Sequence, residues 1–191
     1  MPIFASCDGT EIGYRVLGDG PPLVCLPGGP GRAAEYLGDL GATEEQVRAA
    51  IGRRAAERWY PVALAAMEKF ITGDLSTETF RASRPFFYAR WDNASQAHAT
   101  VGVAQRHAAA REGFFAGAPF DAPSTRAALK ELNAPVLLYA GDLDPIATPA
   151  VIREAAPLFN DATVVVQPHV AHFPWVDDPA AFAAAIGSLP G

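Results

Sequence analysis

Leu23-Val24-Cys25-Leu26 is a run of four apolar residues enclosed by prolines, and it stops in Gly28-Gly29-Pro30-Gly31. The run is too short for a helix and is bounded by turn formers, so it predicts a buried strand that empties into a glycine loop. Gly28, Gly29 and Gly31 allow positive φ and close approach of backbone to a ligand, whereas Pro27 and Pro30 have no N–H to offer. A loop of this kind can aim bare N–H groups at an anionic oxygen, which is what an oxyanion hole requires. The same composition also makes an ordinary turn, so the rest of the chain has to decide its meaning.

Ahead of that stretch, Ile3 to Ser6 and Glu11 to Leu17 flank Asp8-Gly9 and predict an antiparallel hairpin. Gly18-Asp19-Gly20-Pro21 turns the chain into the strand, and Arg32 to Leu40 has room for one or two helical turns. At Ala42 the character changes. Thr43-Glu44-Glu45-Gln46 is a capping box, predicting a helix from Glu44 towards Trp59. Further helices are expected over Val62 to Ile71, Thr77 to Ser83, Ala94 to Phe115 and Ser124 to Leu132, with no buried strand between Ala42 and Asn133.

Beyond Asn133 strands and helices alternate: Pro135 to Ala140, Pro149 to Leu158, Thr163 to Val166 and Pro179 to Ile186. Thr148-Pro149 and Asp178-Pro179 each put an N-cap residue before a proline at the first helical position. Such alternation predicts parallel pairing in an α/β sheet. The expected fold class is therefore α/β, with a mixed sheet of about five strands and a helical middle. The expected boundaries are 1–41 for the N-terminal strands and glycine loop, 42–130 for the cap-like region, and 131–191 for the C-terminal strands and helices.

In open α/β sheets the chemistry gathers at the C-terminal ends of the strands. One such end carries Gly141-Asp142-Leu143-Asp144 and the next carries His169-Val170-Ala171-His172-Phe173-Pro174-Trp175. Either aspartate could simply start a turn. An acid on one strand end and a His on the next could also form the acid–base half of a nucleophilic triad. His169 and His172 are spaced i, i+3 but have no third ligand nearby, so no metal is expected. His98 and His107 fall on a predicted helix and read as surface or cap residues. Phe86-Phe87-Tyr88, Trp91 and Phe114-Phe115 suit an apolar pocket under a lid and ordinary helix packing equally well.

The glycine loop, Asp144 and Ala171-His172-Phe173-Pro174-Trp175 together resemble the α/β-hydrolases, and most of all their proline iminopeptidase branch. The resemblance covers the first 40 residues or so and about the last 60, with the helical middle similar to the family's cap in position and composition. It implies that Gly29 supplies an oxyanion N–H, that Asp144 is the acid and that His172 is the base. It also implies hydrolysis of aminoacyl amides or esters through an acyl-enzyme, on a small-molecule or short-peptide substrate, with no cofactor. Leu26-Pro27 stands where His often precedes the glycines, and Ala171 where Gly often precedes the His.

The nucleophile is the large departure. The family carries it as Gly-x-Ser-x-Gly on a strand-to-helix turn, between the glycine loop and the acid. None of Ser6, Ser76, Ser83, Ser95, Ser124 and Ser188 has flanking glycines at that spacing, and Cys7 and Cys25 precede the loop. Three strands of the family pattern are missing with it, as if the chain passed from Gly41 straight into the cap. The expected protein is thus weakly active or inactive, or a non-catalytic binding or interaction protein on a hydrolase remnant. Sheet edges exposed by the loss would favour homo-oligomers.

The net charge of −6 comes without a basic cluster, which argues against nucleic acid and anionic membranes as partners. With no stretch of eighteen apolar residues and only two cysteines, the expected location is cytoplasmic.

Overall fold

In the computed structural model, the structure describes residues 2–5, 9, 11–13, 42–74, 76–104 and 122–189. The glycine loop with Gly28, Gly29 and Gly31, the Leu23 to Leu26 strand, the Arg32 to Leu40 segment, Cys7, Cys25, His107 and Phe114-Phe115 all lie outside the described residues.

Two short strands, β1 (Ile3–Ala5) and β2 (Glu11–Gly13), pair antiparallel with Phe4 opposite Ile12. Between them in sequence, Gly9 takes φ +84°, a conformation that glycine adopts without a Cβ penalty. The next described residues, Ala42 and Thr43, lead into a series of helices. The helices are α1 (Glu44–Gly52), α2 (Tyr60–Ile71), α3 (Thr77–Ser83), a 3₁₀ turn over Arg84–Phe87, α4 (Asn93–Ala104) and α5 (Ala122–Lys130). Alternation then resumes with β3 (Val136–Gly141), α6 (Pro149–Ala155) and β4 (Ala162–Gln167), followed by α7 (Pro174–Asp177) and α8 (Pro179–Gly187).

β3 and β4 are parallel, in register from Val136 opposite Ala162 to Gly141 opposite Gln167. Parallel neighbours need a crossover, and α6 with the 3₁₀ turn Ala156–Leu158 supplies it. The class is α/β, but the described strands form two separate pairs and do not assemble the expected five-stranded sheet. Both strand ends that carry the candidate acid and base therefore lie side by side.

The expected caps form. Gln46 N–H donates to Thr43 Oγ1 at 3.2 Å and Thr43 N–H to Gln46 Oε1 at 2.9 Å. Asp178 Oδ1 accepts from Ala181 N–H at 3.0 Å, and Thr148 Oγ1 from Val151 N–H at 3.4 Å. The first long helix differs from expectation because it stops at Gly52 and not near Trp59. From there to Tyr60 the backbone turns through i to i+3 bonds such as Ala55 N–H to Gly52 O and Tyr60 N–H to Glu57 O. The physical cause is tertiary. Arg54 turns inward, its Nη1 and Nη2 each 2.9 Å from the carbonyls of Tyr88 and Ala89, with its guanidinium 4.9 Å from the Trp59 ring centre.

The core of the helical part is Val47, Ile51, Ala63, Met67, Phe86, Phe87, Tyr88 and Ala99. Phe86 meets Trp59 and Tyr60 edge-on, and Phe87 meets Phe70 edge-on and Phe80 at a tilt. Ile146, Phe173 and Val176 from the C-terminal residues pack on the same cluster, so strand-bearing and helical parts share one core. Phe86-Phe87-Tyr88 are thus packing residues, buried among helices.

Tyr139 on β3 meets Phe182 of α8 edge-on at 5.4 Å, and its buried Oη finds no hydrogen-bond partner among the described residues. A buried hydroxyl without a partner carries an uncompensated desolvation cost. Tyr139→Phe should leave stability unchanged or raise it by up to about 1 kcal/mol, as read from urea denaturation. A loss of more than that would mean the hydroxyl has a partner.

Candidate active site

The site begins where β3 ends. Gly141 lies so close to the next loop that a Cβ there would stand 2.2 Å from Val170 O and 2.6 Å from Ala171 O. Only glycine lets the acid loop and the His loop meet at this distance. Leu143 N–H donates to Val170 O at 3.0 Å and Asp142 N–H to Gln167 O at 2.9 Å, which stitches the two loops together.

The two aspartates, which local sequence chemistry does not rank, part company here. Asp142 is a tether: its Oδ1 accepts from His169 N–H at 2.7 Å and its Oδ2 from Arg53 Nη2 at 2.8 Å. His169 takes φ +60°, an unusual backbone for a non-glycine residue, held by that bond. Asp144 is buried, 4% exposed, and faces His172. Its Oδ1 accepts from Ile146 N–H at 2.8 Å and Ala147 N–H at 3.0 Å, while Oδ2 lies 2.9 Å from His172 Nδ1. Three partners on two oxygens leave this carboxylate little rotational freedom.

A carboxylate can only accept, so His172 Nδ1 is the protonated nitrogen of the neutral ring and Nε2 carries the lone pair. His172 is held at its backbone too, its N–H donating to Phe87 O at 3.1 Å. Its ring stands edge-on to Phe87 at 5.5 Å and to Phe173 at 5.1 Å. Burial pushes the imidazole pKa down, the charge and hydrogen bond of Asp144 push it up, and Arg84 opposes it, with a net rise above 6.5.

Phe173 continues into Tyr88 and His98. Tyr88 Oη is 2.8 Å from His98 Nδ1, and Phe173 lies 4.9 Å from both rings. His98 was expected to be a surface or cap residue. It is half-buried in this aromatic group, and burial followed by the charge of Arg84 lowers its pKa. Nothing in a lone helical His marks this. Arg84 itself is buried, its guanidinium 4.6 Å from the Phe80 ring centre.

Ser76, Ser83, Ser95 and Ser188 turn their hydroxyls to backbone groups nearby in sequence: Thr79 N–H, Phe80 O, Asp92 O and Ala185 O. Asp177, which sequence reasoning passed over, joins the His loop to the helical part: its carboxylate accepts from Ala171 N–H and Ala89 N–H. The one available signal was an acid five residues after the His, in a sequence where Asp178 already explained the acidic pair as a cap. No group of three or more metal-ligating side chains gathers among the described residues, and no helix there is long and apolar enough to cross a membrane.

No protein-family model and no curated protein matches the chain. Among solved structures it is distantly similar to the proline iminopeptidase of Mycobacterium smegmatis, at 21% identity and a TM-score of 0.41. The match covers 80% of this chain and 50% of that one, so the chain spans about half the length of the structure it matches.

Two outcomes follow from the geometry. Gly141→Ala must displace the Val170 backbone and should cost about 3 kcal/mol in urea denaturation, the upper part of the range for overpacked sites. A loss within about 0.5 kcal/mol would mean the loops do not meet as described. The second concerns pH. His172 has a raised pKa, so the folded chain holds a proton that the unfolded chain releases above about 6.5. Stability from this partnership is full below that pH and is lost as pH rises through the folded value. Wild-type stability should therefore fall across that window and His172→Gln should flatten the fall. An unchanged slope in the variant would contradict the pairing.

Proposed function

We propose that this chain is a remnant α/β-hydrolase, similar to the proline iminopeptidase branch, in which Asp144 and His172 are the acid–base half of a triad and the nucleophile has been lost. The observation that carries the reading is the His172 Nδ1 to Asp144 Oδ2 contact of 2.9 Å at the adjacent ends of parallel strands. In such a pair the carboxylate fixes the tautomer and stabilises the imidazolium, while Nε2 takes a proton from a nucleophile or water. Gly29 would supply an oxyanion N–H, with Gly28 and Gly31 shaping its loop, and residues 42–130 would serve as the cap. The substrate class is an aminoacyl amide or ester of small size, and the chemistry calls on no metal or organic cofactor. Without a serine in place, turnover is weak or absent.

A second reading is favoured by the serines, whose hydroxyls serve the backbone at Ser76, Ser83, Ser95 and Ser188. On it the chain is a non-catalytic ligand-binding or interaction protein that associates through sheet edges. Purified protein treated with a fluorophosphonate probe separates the two from an active enzyme by intact mass. The expected result is a folded, unlabelled chain. A stoichiometric serine adduct that disappears in His172→Ala would overturn the loss of the nucleophile.

A further inference from the structure

We infer that Asp177 is a positioning residue for His172, closing the loop that carries the imidazole and clamping that loop to the helical part. The inference rests on reading Asp144 and His172 as the acid–base pair. Asp177 Oδ2 accepts from Ala171 N–H at 2.8 Å, across six positions of chain, so His172 and Phe173 sit inside a loop whose two ends are joined. Both oxygens also take the Ala89 N–H, each at 3.0 Å, and Asp177 O accepts from Arg90 Nη2 at 3.3 Å. One carboxylate thus fixes the residue just before His172 and the segment just after Tyr88 at the same point. That segment is itself held by Arg54 on the carbonyls of Tyr88 and Ala89, and it presents Phe87 O to the His172 N–H.

Asp177 is 8% exposed, and a buried acid is costly unless its acceptors are filled. Burial raises its pKa, against the pull of the Ala171 and Ala89 N–H groups and the charges of Arg90 and Arg54. Helix capping does not explain it. Asp178 caps α8, and the side chain of Asp177 bonds to Ala171 and Ala89. Its one route to the imidazole is through backbone: with the clasp loosened, Ala171 and His172 drift and the contact to Asp144 lengthens.

The test is the His172 pKa by NMR in wild type, Asp177→Asn, Asp144→Asn and the double variant. Asp177→Asn keeps the shape but faces two N–H donors with one acceptor fewer. It should lower the His172 pKa by roughly half a unit or more, and should have no further effect once Asp144→Asn has removed the partner. An unchanged His172 pKa in Asp177→Asn, or an equal shift in both backgrounds, overturns the positioning role. Asp144→Asn separates the failures: if it lowers the pKa while Asp177→Asn does not, the pair stands and this inference falls. If Asp144→Asn changes nothing, the pair itself is wrong and both fall. Should Asp177→Asn fail to fold, the wild-type chain decides. The amide protons of Ala89 and Ala171 should then titrate at one shared midpoint, that of Asp177, and two different midpoints would overturn the clasp.

Discussion

The amide of His172 donates to the carbonyl of Phe87, and the arrangement of the molecule turns on that junction of two unlike parts. On one side are helices that bury aromatic residues against one another, and on the other two parallel strands with their crossover. Each needs the other. Phe173 and Val176 pack on the helical core, while Phe87 and Tyr88 meet the rings of His172 and Phe173. A buried polar junction of this sort specifies a register that apolar packing alone would leave loose.

Much of this was legible in the sequence because it is local chemistry. A capping box at Thr43, Thr148 before Pro149 and Asp178 before Pro179 state where helices start, since the orphan N–H groups of a first turn demand such partners. The alternation after Asn133 gave the parallel pair, and the resemblance singled out Asp144 over Asp142, two carboxylates that local chemistry alone does not rank. What sequence did not reveal depends on distant partners. Arg54 ends α1 because two carbonyls far along the chain accept from it, and His98 is drawn inward by Tyr88. In sequence Gly141 is only the residue that precedes the two aspartates. Its necessity is a contact with Val170 that no local pattern encodes.

The pair of Asp144 and His172 is held from several sides: a carboxylate bound by two amides, an imidazole held at backbone and ring, and a glycine that brings the loops together. A remnant could keep such a site because the same bonds hold its fold. Asp142 with His169, Asp177 with Ala89 and Ala171, and the stitching of Leu143 to Val170 all join the C-terminal strands to their surroundings. On the proposed reading, loss of a nucleophile would remove chemistry and leave these contacts in place.

The most direct measurement is the protonation of the two ring nitrogens of His172, read from their ¹⁵N shifts at a pH above its titration. The account predicts that Nδ1 carries the proton, donated to Asp144, and that Nε2 is bare. A ring with the proton on Nε2 would mean that Asp144 does not hold it, and the acid–base pair would be contradicted.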